Sequence, residues 1–384
     1  MNILVVGNGF DLAHGLPTKY SDFLDFVNVI NAIYKLPNYT QNIIEVDCII
    51  SNEGSKLDEH IKFLLHYKFL ELICSNVEDC EYYLFAWELL INGNLWLKYF
   101  YDNIDFIGEN WIDFEKEISI FIRSIEPFMR KSDVSIKSIS DYIYKSFNEK
   151  RNIDNVLKPF MLNDGIDFQY LKLSLEKDLD RLILALETYL YEYVEKIKIN
   201  EKQQNIIDVK INKVISFNYT NTSEIYKEGD DFDIDYIHGK AKTAQLLGCC
   251  SNNDMVLGID EYLNVKDRDN NIEFVKFKKY YQIIEKGINY KFRSWFDEFN
   301  KVNISNVKKG NKHNLYIFGH SLDITDKDIL RELILRDDVV TTIFYHRDEV
   351  KRKLIENLQK IIGQEELIRR TKYPCNSIKF ERQR

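Results

Sequence analysis

Cysteine is present but never at a spacing that binds metal. Cys48, Cys74, Cys80, Cys249, Cys250 and Cys375 include no C-x-x-C pair and no cysteine–histidine block at zinc spacing, so no metal is expected. The adjacent Cys249-Cys250 reads as two buried thiols beside a strand, with a redox pair or a ligand pair as the alternatives; it is assigned no function. No apolar run is long enough to span a membrane and no signal peptide opens the chain, so a cytoplasmic protein with no membrane partner is expected. Positive charge is also short. A net charge of −9 over 384 residues excludes an extended nucleic-acid surface, while leaving room for a local basic pocket. A hydrophobic content of 45% is enough for a sizeable core.

What is there begins at the first residue. Asn2 to Val6 is short, branched and uninterrupted, as in a strand buried on both faces of a parallel sheet. Gly7-Asn8-Gly9 then breaks the run where the backbone must turn and where a diphosphate can approach the next helix's N-terminus. A dinucleotide fingerprint would put a third glycine at position 12, and Leu12 stands there. A tight turn with no ligand is the competing reading. A second punctuation, Gly15-Leu16-Pro17, follows within ten residues and adds more loop chemistry than a connector needs.

Thr18 is expected to cap a helix whose apolar positions run from Tyr20 to Tyr34, ending before Pro37. From about Lys56 to Lys198 the periodicity is helical, and its cleanest stripe is Leu171, Leu175, Leu179, Leu182, Leu186, Leu190, Val194 and Ile197. Trp111 to Glu115 reads as a solvated helix start, with Asp113 and Glu115 near its positive end. Strand patterns return at Lys213–Phe217, Asp235–Ile237, Met255–Leu257, Asn314–Phe318 and Val339–Tyr345, with helical patterns between several of them. The expected fold is α/β, a Rossmann-like, mostly parallel sheet with a large α-helical insertion. Residues 1–40 form its first strand–turn–helix unit, 41–205 the insertion and 206–384 the remainder.

Ligands of such sheets lie at the carboxyl ends of the strands. There the sequence places Asn218-Tyr219-Thr220, His238-Gly239 and Gly319-His320-Ser321-Leu322-Asp323, in addition to Gly7-Asn8-Gly9. Asparagine bonds ribose hydroxyls or water, and histidine moves protons near neutral pH. His14, His320 and His346 read as satisfied polar side chains, with His320 the reserve base.

In their order, these segments resemble the sirtuin-type NAD-binding fold. Gly7-Asn8-Gly9 and Gly15-Leu16-Pro17 stand at the spacing of the sirtuin G-A-G and G-I-P. Asn218 matches the NAD-contacting asparagine, His238-Gly239 the catalytic H-G, and Gly319-His320-Ser321-Leu322 the G-T-S-L segment. More closely, GNGFDLAHGLPTKYSDFL with SFNYT and FGHSLDITDKDI resembles the bacterial AbiH abortive-infection family over nearly the whole chain. Thr220 departs from the sirtuin N-x-D, and the zinc cysteines after H-G are missing.

The resemblance implies anti-phage defence and a sirtuin-like NADase with NAD as substrate. In it Asn218 positions the ribose or the attacking water and His238 is the base, while Gly7, Asn8, Gly9, Phe10, Asp11, Pro17, Gly319, Ser321 and Asp323 bind the dinucleotide. Asp11 either caps its helix or bonds a ribose hydroxyl, and Asp323 either holds the adenosine ribose or caps the helix after it. The implied partners are NAD or a related nucleotide and a phage-derived trigger or operon partner, while the long amphipathic stripes between about Lys56 and Lys198 lead to the expectation of self-association with further copies of the chain. A metal-dependent nuclease drawing on Asp11, His14, Asp113, Glu115 and Asp323, and a non-catalytic nucleotide sensor, are the alternatives.

Overall fold

The computed structural model describes residues 1–384 except 37–42, 76, 108–110, 164, 228–231, 243–252, 260–272 and 297–312, together with the side chains of 77, 78 and 111–113. Cys249-Cys250 and the Asp113 carboxylate therefore lie outside the described residues. The chain divides into two compact units. One comprises Met1–Pro17, Lys198–Lys240 and Gly287–Arg384; the other comprises Thr18–Ile197 and Ala241–Lys286.

The first unit is built on a six-stranded sheet of β1 (Asn2–Val6), β2 (Lys213–Ser216), β3 (Asp233–Tyr236), β4 (His313–Phe318), β5 (Val339–Tyr345) and β6 (Ile378–Arg382). Its order is β3-β2-β1-β4-β5-β6, and every neighbouring pair is parallel. The order reverses between β1 and β4, the switch point at which doubly wound sheets open a crevice. The composition of β1 follows from its place at the centre. Ile3 and Val5 pack with Leu330 and Leu333 of the Lys327–Ile334 helix and with Leu354 and Leu358 of the Asp348–Ile362 helix. Leu4 and Val6 pack on the opposite face with Phe10, Ile206, Phe318 and Phe344. Both faces are covered from Ile3 to Val6, and the strand's one polar residue, Asn2, stands at its half-buried start, where Nδ2 donates to the Lys210 carbonyl at 2.9 Å.

Two strand readings need correction. Met255–Leu257 joins no sheet, although it is buried. The Gln282 side chain takes the place of a neighbouring strand there: its Oε1 accepts from the Leu257 N–H at 3.1 Å and its Nε2 donates to the Leu257 carbonyl at 2.9 Å. β6 was not legible, because IKFER is largely exposed at the sheet edge and carries three charged residues.

The second unit is mostly helical, with one short antiparallel pair, Met161–Leu162 with Gly165–Ile166, inside the stretch read as helical throughout. Its longest helix is Phe168–Glu192, begun by Asp167 accepting from the Tyr170 N–H at 2.9 Å, and the leucine stripe from Leu171 to Leu190 is buried along it. The stripe overruns the helix, since Val194 sits in a separate short turn, Val194–Lys196. Thr18 does not cap the Tyr20–Tyr34 helix; the Asp22 carboxylate reaches back to accept the Lys19 N–H at 2.9 Å. Glu115 is not solvated. The Trp111–Ile125 helix buries it against Lys279, with Nζ 2.9 Å from Oε2. A buried pair of this kind sets which side chains must meet more than it adds net stability. Among the described residues, no helix is long and apolar enough to cross a membrane.

Candidate functional site at the strand ends

The first unit brings the carboxyl ends of β1, β2, β3 and β4 to one edge, and with them the residues that follow: Gly7, Asn218, His238 and Gly319-His320. The turns after β1 and β4 touch through their backbones. The Gly7 N–H donates to the Phe318 carbonyl at 3.3 Å, the Gly9 N–H to the Gly319 carbonyl at 2.8 Å, and the Phe10 N–H closes the turn on the Gly7 carbonyl at 2.8 Å. A Cβ at Gly9 would stand 2.8 Å from the Gly319 oxygen, and one at Gly319, where φ is +68°, would stand 2.1 Å from the Phe10 nitrogen. These glycines are therefore required by backbone-to-backbone packing, and the amides of Gly7, Gly9 and Phe10 all donate to main-chain oxygens. Gly319→Ala is expected to cost about 1–3 kcal/mol of unfolding free energy through clash and left-handed strain together, measured by urea denaturation. An unchanged midpoint would mean that the two turns can separate freely.

The side chains following Gly7 divide between packing and polar work. The Phe10 ring is fully buried, edge-on to Phe318 at 5.8 Å, so it belongs to the core. Asn8 Nδ2 is buried and has no hydrogen-bond partner among the described residues. Pro17 is buried at the end of the turn.

Asp11 lies within the Asn8–Ala13 helix and does not cap it. Its side chain is 1% exposed, and Oδ2 accepts from the Thr220 hydroxyl at 2.6 Å. Thr222 Oγ1 is 3.1 Å from that hydroxyl. Asp11 Oδ1 has no hydrogen-bond partner among the described residues, although Thr222 and Asn218 stand near enough to favour the ionised form. Burial dominates and raises the carboxyl from 3.8 to about 6. The position that resembles an N-x-D aspartate is thus a hydroxyl that holds a carboxylate from another strand end. Asn218 is fixed by Nδ2 donating to the Gly7 carbonyl at 3.0 Å.

His14 is satisfied on both ring nitrogens. Nδ1 lies 2.6 Å from the Phe10 carbonyl and Nε2 lies 2.8 Å from the Tyr226 hydroxyl, which accepts from the Gln203 N–H at 2.7 Å. The contact to a carbonyl puts the proton on Nδ1 and makes Nε2 the acceptor. Burial lowers the pKa of His14.

His238 and His320 flank the Phe217 ring edge-on, at 5.5 and 4.4 Å between centroids. Both face one carboxylate that sequence reasoning missed: Asp326 Oδ1 is 3.1 Å from His238 Nε2, and Oδ2 is 3.4 Å from His320 Nε2. His320 Nδ1 accepts from the Leu322 N–H at 2.9 Å. Leu322 adopts φ +54° to make that contact, a strained conformation for a branched residue. Asp323, chosen from sequence, caps the short turn Ile324–Asp326 by accepting the Thr325 N–H at 3.2 Å. The Ser321 side chain is exposed, while its carbonyl accepts from Asn357 Nδ2 at 3.0 Å. Among the described residues, no group of three or more His, Cys, Asp or Glu side chains is arranged to hold a metal ion.

The family model described as bacteriophage abortive infection AbiH matches residues 3–346. No curated protein and no solved structure matches the chain.

Proposed function

The chain belongs to the bacteriophage abortive-infection AbiH family, and from that membership and the strand-end site we propose that it acts against phage by hydrolysing NAD to nicotinamide and ADP-ribose. The observation that carries the reading is a set of buried polar groups with incomplete partners in the segments that follow β1 and β2. Asn8 Nδ2 is a donor, Asp11 Oδ1 an acceptor and Ser223 Oγ either, and none has a hydrogen-bond partner among the described residues. Each such group costs about 1–3 kcal/mol when left unsatisfied, and a polar ligand with hydroxyl and amide groups would repay it. His238 beside a carboxylate adds a proton acceptor to the same edge.

Nicotinamide leaves a cationic linkage as a neutral molecule, so no strong acid is needed. The bound ribose must instead be oriented and its oxocarbenium-like centre stabilised. Asn218, locked onto Gly7, positions the ribose or the attacking water, and His238 accepts the proton. Asp11, held by Thr220, lies within the same cluster and supplies negative charge, taking the place of the aspartate absent at position 220. The nuclease reading draws no support from its candidates, since Glu115 is paired with Lys279 and Asp323 caps a turn.

An NAD hydrolase active at all times would kill its own host, so the resting state is held inactive and infection switches it. A trigger that binds the active state about 10⁴-fold more tightly, a difference of about 5.5 kcal/mol, carries the protein from roughly 1% to 99% active. Cells carrying the protein should keep normal NAD until a sensitive phage infects them, then lose it before lysis. Cells carrying His238→Ala should show neither depletion nor protection. Protection by His238→Ala with NAD intact would assign the defence to another chemistry.

A further inference from the structure

The Glu59–Ser75 and Val77–Ile91 helices of the second unit each carry two apolar faces. Their inner faces belong to the unit's own core. Ile61, Leu65 and Phe69 are buried on the first helix and Leu84, Trp87 and Ile91 on the second, and the Phe69 and Tyr83 rings meet edge-on at 5.9 Å, which sets the two helices side by side. Their outer faces are apolar as well. Phe63, Tyr67 and Leu70 stand on the first and Tyr82, Phe85 and Leu89 on the second, each exposing 37–66% of its surface. A surface helix turns its charged side outward, and one that is apolar on both sides is buried on both. We propose that this outer face is a dimerisation surface, on which two copies of the chain related by a two-fold axis lay their helix pairs together as a four-helix layer.

The spacing of the exposed side chains calls for a helix as the occupant. Positions 63, 67 and 70, like 82, 85 and 89, advance in alternating steps of four and three residues, the spacing at which side chains of one helix enter the gaps of another. A fluid lipid surface needs no such register. The area is also sufficient. The exposed parts of these six side chains amount to about 600 Å² per copy, the upper end of the apolar patch a monomer leaves bare, and to about 1,200 Å² across a pair, the lower bound of a stable interface before any rim contact is added. A two-fold dimer needs one patch that meets itself, and two like stripes provide it: the first helix of each copy faces the second helix of the other, so every contact occurs twice.

Charge argues against an anionic occupant. The exposed charged residues described on the two helices are Glu59, Glu71, Asp79 and Glu81, and no Lys or Arg among the described residues of either helix is exposed. Lys62 is engaged by Glu59 at 2.7 Å, and Lys68 lies 5.4 Å over the Tyr83 ring. Helices that lie on membranes carry basic residues along their polar side, so this acidic rim turns the surface away from anionic lipid and from nucleic acid. Between two copies the same rim is mildly repulsive, and salt should leave the dimer intact or tighten it.

The test is sedimentation velocity on the full chain at micromolar concentration, and it needs no turnover. The wild-type protein should sediment at twice its chain mass of 45.8 kDa, in low and in high salt alike. Phe63→Glu and Phe85→Glu, one on each helix, should each weaken the dimer at least about 30-fold, the loss expected of a buried anchor. Both side chains are exposed, so the far-ultraviolet circular dichroism of each variant should match the wild type. Ile368→Glu, at an exposed position on the Gln364–Thr371 helix of the first unit, should leave the dimer unchanged. A wild-type monomer, a dimer that survives both substitutions, or a dimer lost equally with Ile368→Glu would overturn the assignment. A wild-type monomer that floats with phosphatidylglycerol vesicles would give the surface to lipid instead.

Discussion

Asp11→Asn should make the protein more stable and less active. The carboxyl of Asp11 is pushed from 3.8 to about 6, with burial the largest cause. A group whose folded pKa is raised binds its proton more tightly in the native state. Below about pH 4 both states are protonated and no penalty exists; as pH rises from about 4 to 6 the unfolded chain ionises first, and stability falls across that window. Above it the loss is complete, on the order of 3 kcal/mol for a displacement of this size. Asparagine keeps the acceptor for Thr220 and removes the charge, but it puts an amide nitrogen where Oδ1 has no partner. The gain should therefore be about 1–3 kcal/mol at pH 7.5 and near zero at pH 4, read from urea unfolding. His14 works in the opposite direction. Its lowered pKa means that the unfolded chain takes up the proton first, so its contribution is lost as pH falls below about 6.5. Both proteins share that term, and it cancels in the difference. NAD turnover should fall at least tenfold, because the proposed site uses the ionised form. A variant that is more stable and fully active would show that the buried charge serves no ligand.

Removing the two residues proposed to act on the ribose should have the largest effect on chemistry. His238→Ala deletes the proton acceptor and should lower turnover by about 10²–10⁴-fold. Asn218→Ala should lower it comparably by freeing the ribose or water. Neither change should unfold the protein. The Gly7 carbonyl left by Asn218 Nδ2 still accepts from the Phe10 N–H, and the Asp326 carboxylate left by His238 still faces His320. Each variant should keep its unfolding midpoint within the change expected of about 1–2 kcal/mol. Nicotinamide release that survives both substitutions would place the chemistry elsewhere.

Where each feature was legible follows from what it needs. β1 announces itself because a central parallel strand must be apolar on both faces, and the strand-end residues are visible because such sheets concentrate chemistry there. The role of the glycines was not visible. G-N-G at a strand end looks the same whether it admits a phosphate or a neighbouring turn, and the 2.8 Å bond from Gly9 to Gly319 joins residues three hundred positions apart. Asp323 and Asp326 were indistinguishable in sequence, since both follow His320 closely; one turn of chain, Ile324–Asp326, sends the first to a backbone amide and the second to the histidines. The pairing of Thr220 with Asp11 was hidden for the same reason, because it crosses between strands that the sequence separates by two hundred residues. Met255–Leu257 misled because burial and apolarity mimic a strand where a glutamine side chain supplies the missing hydrogen bonds.

The most direct measurement is release of free nicotinamide from NAD by the purified protein, alone and with lysate of phage-infected cells that lack it, in the presence of EDTA. Nicotinamide should accumulate in step with ADP-ribose for the wild-type protein in the activated mixture, and at background for His238→Ala. NAD recovered intact from every mixture, with the protein folded, would contradict NAD hydrolysis at this site.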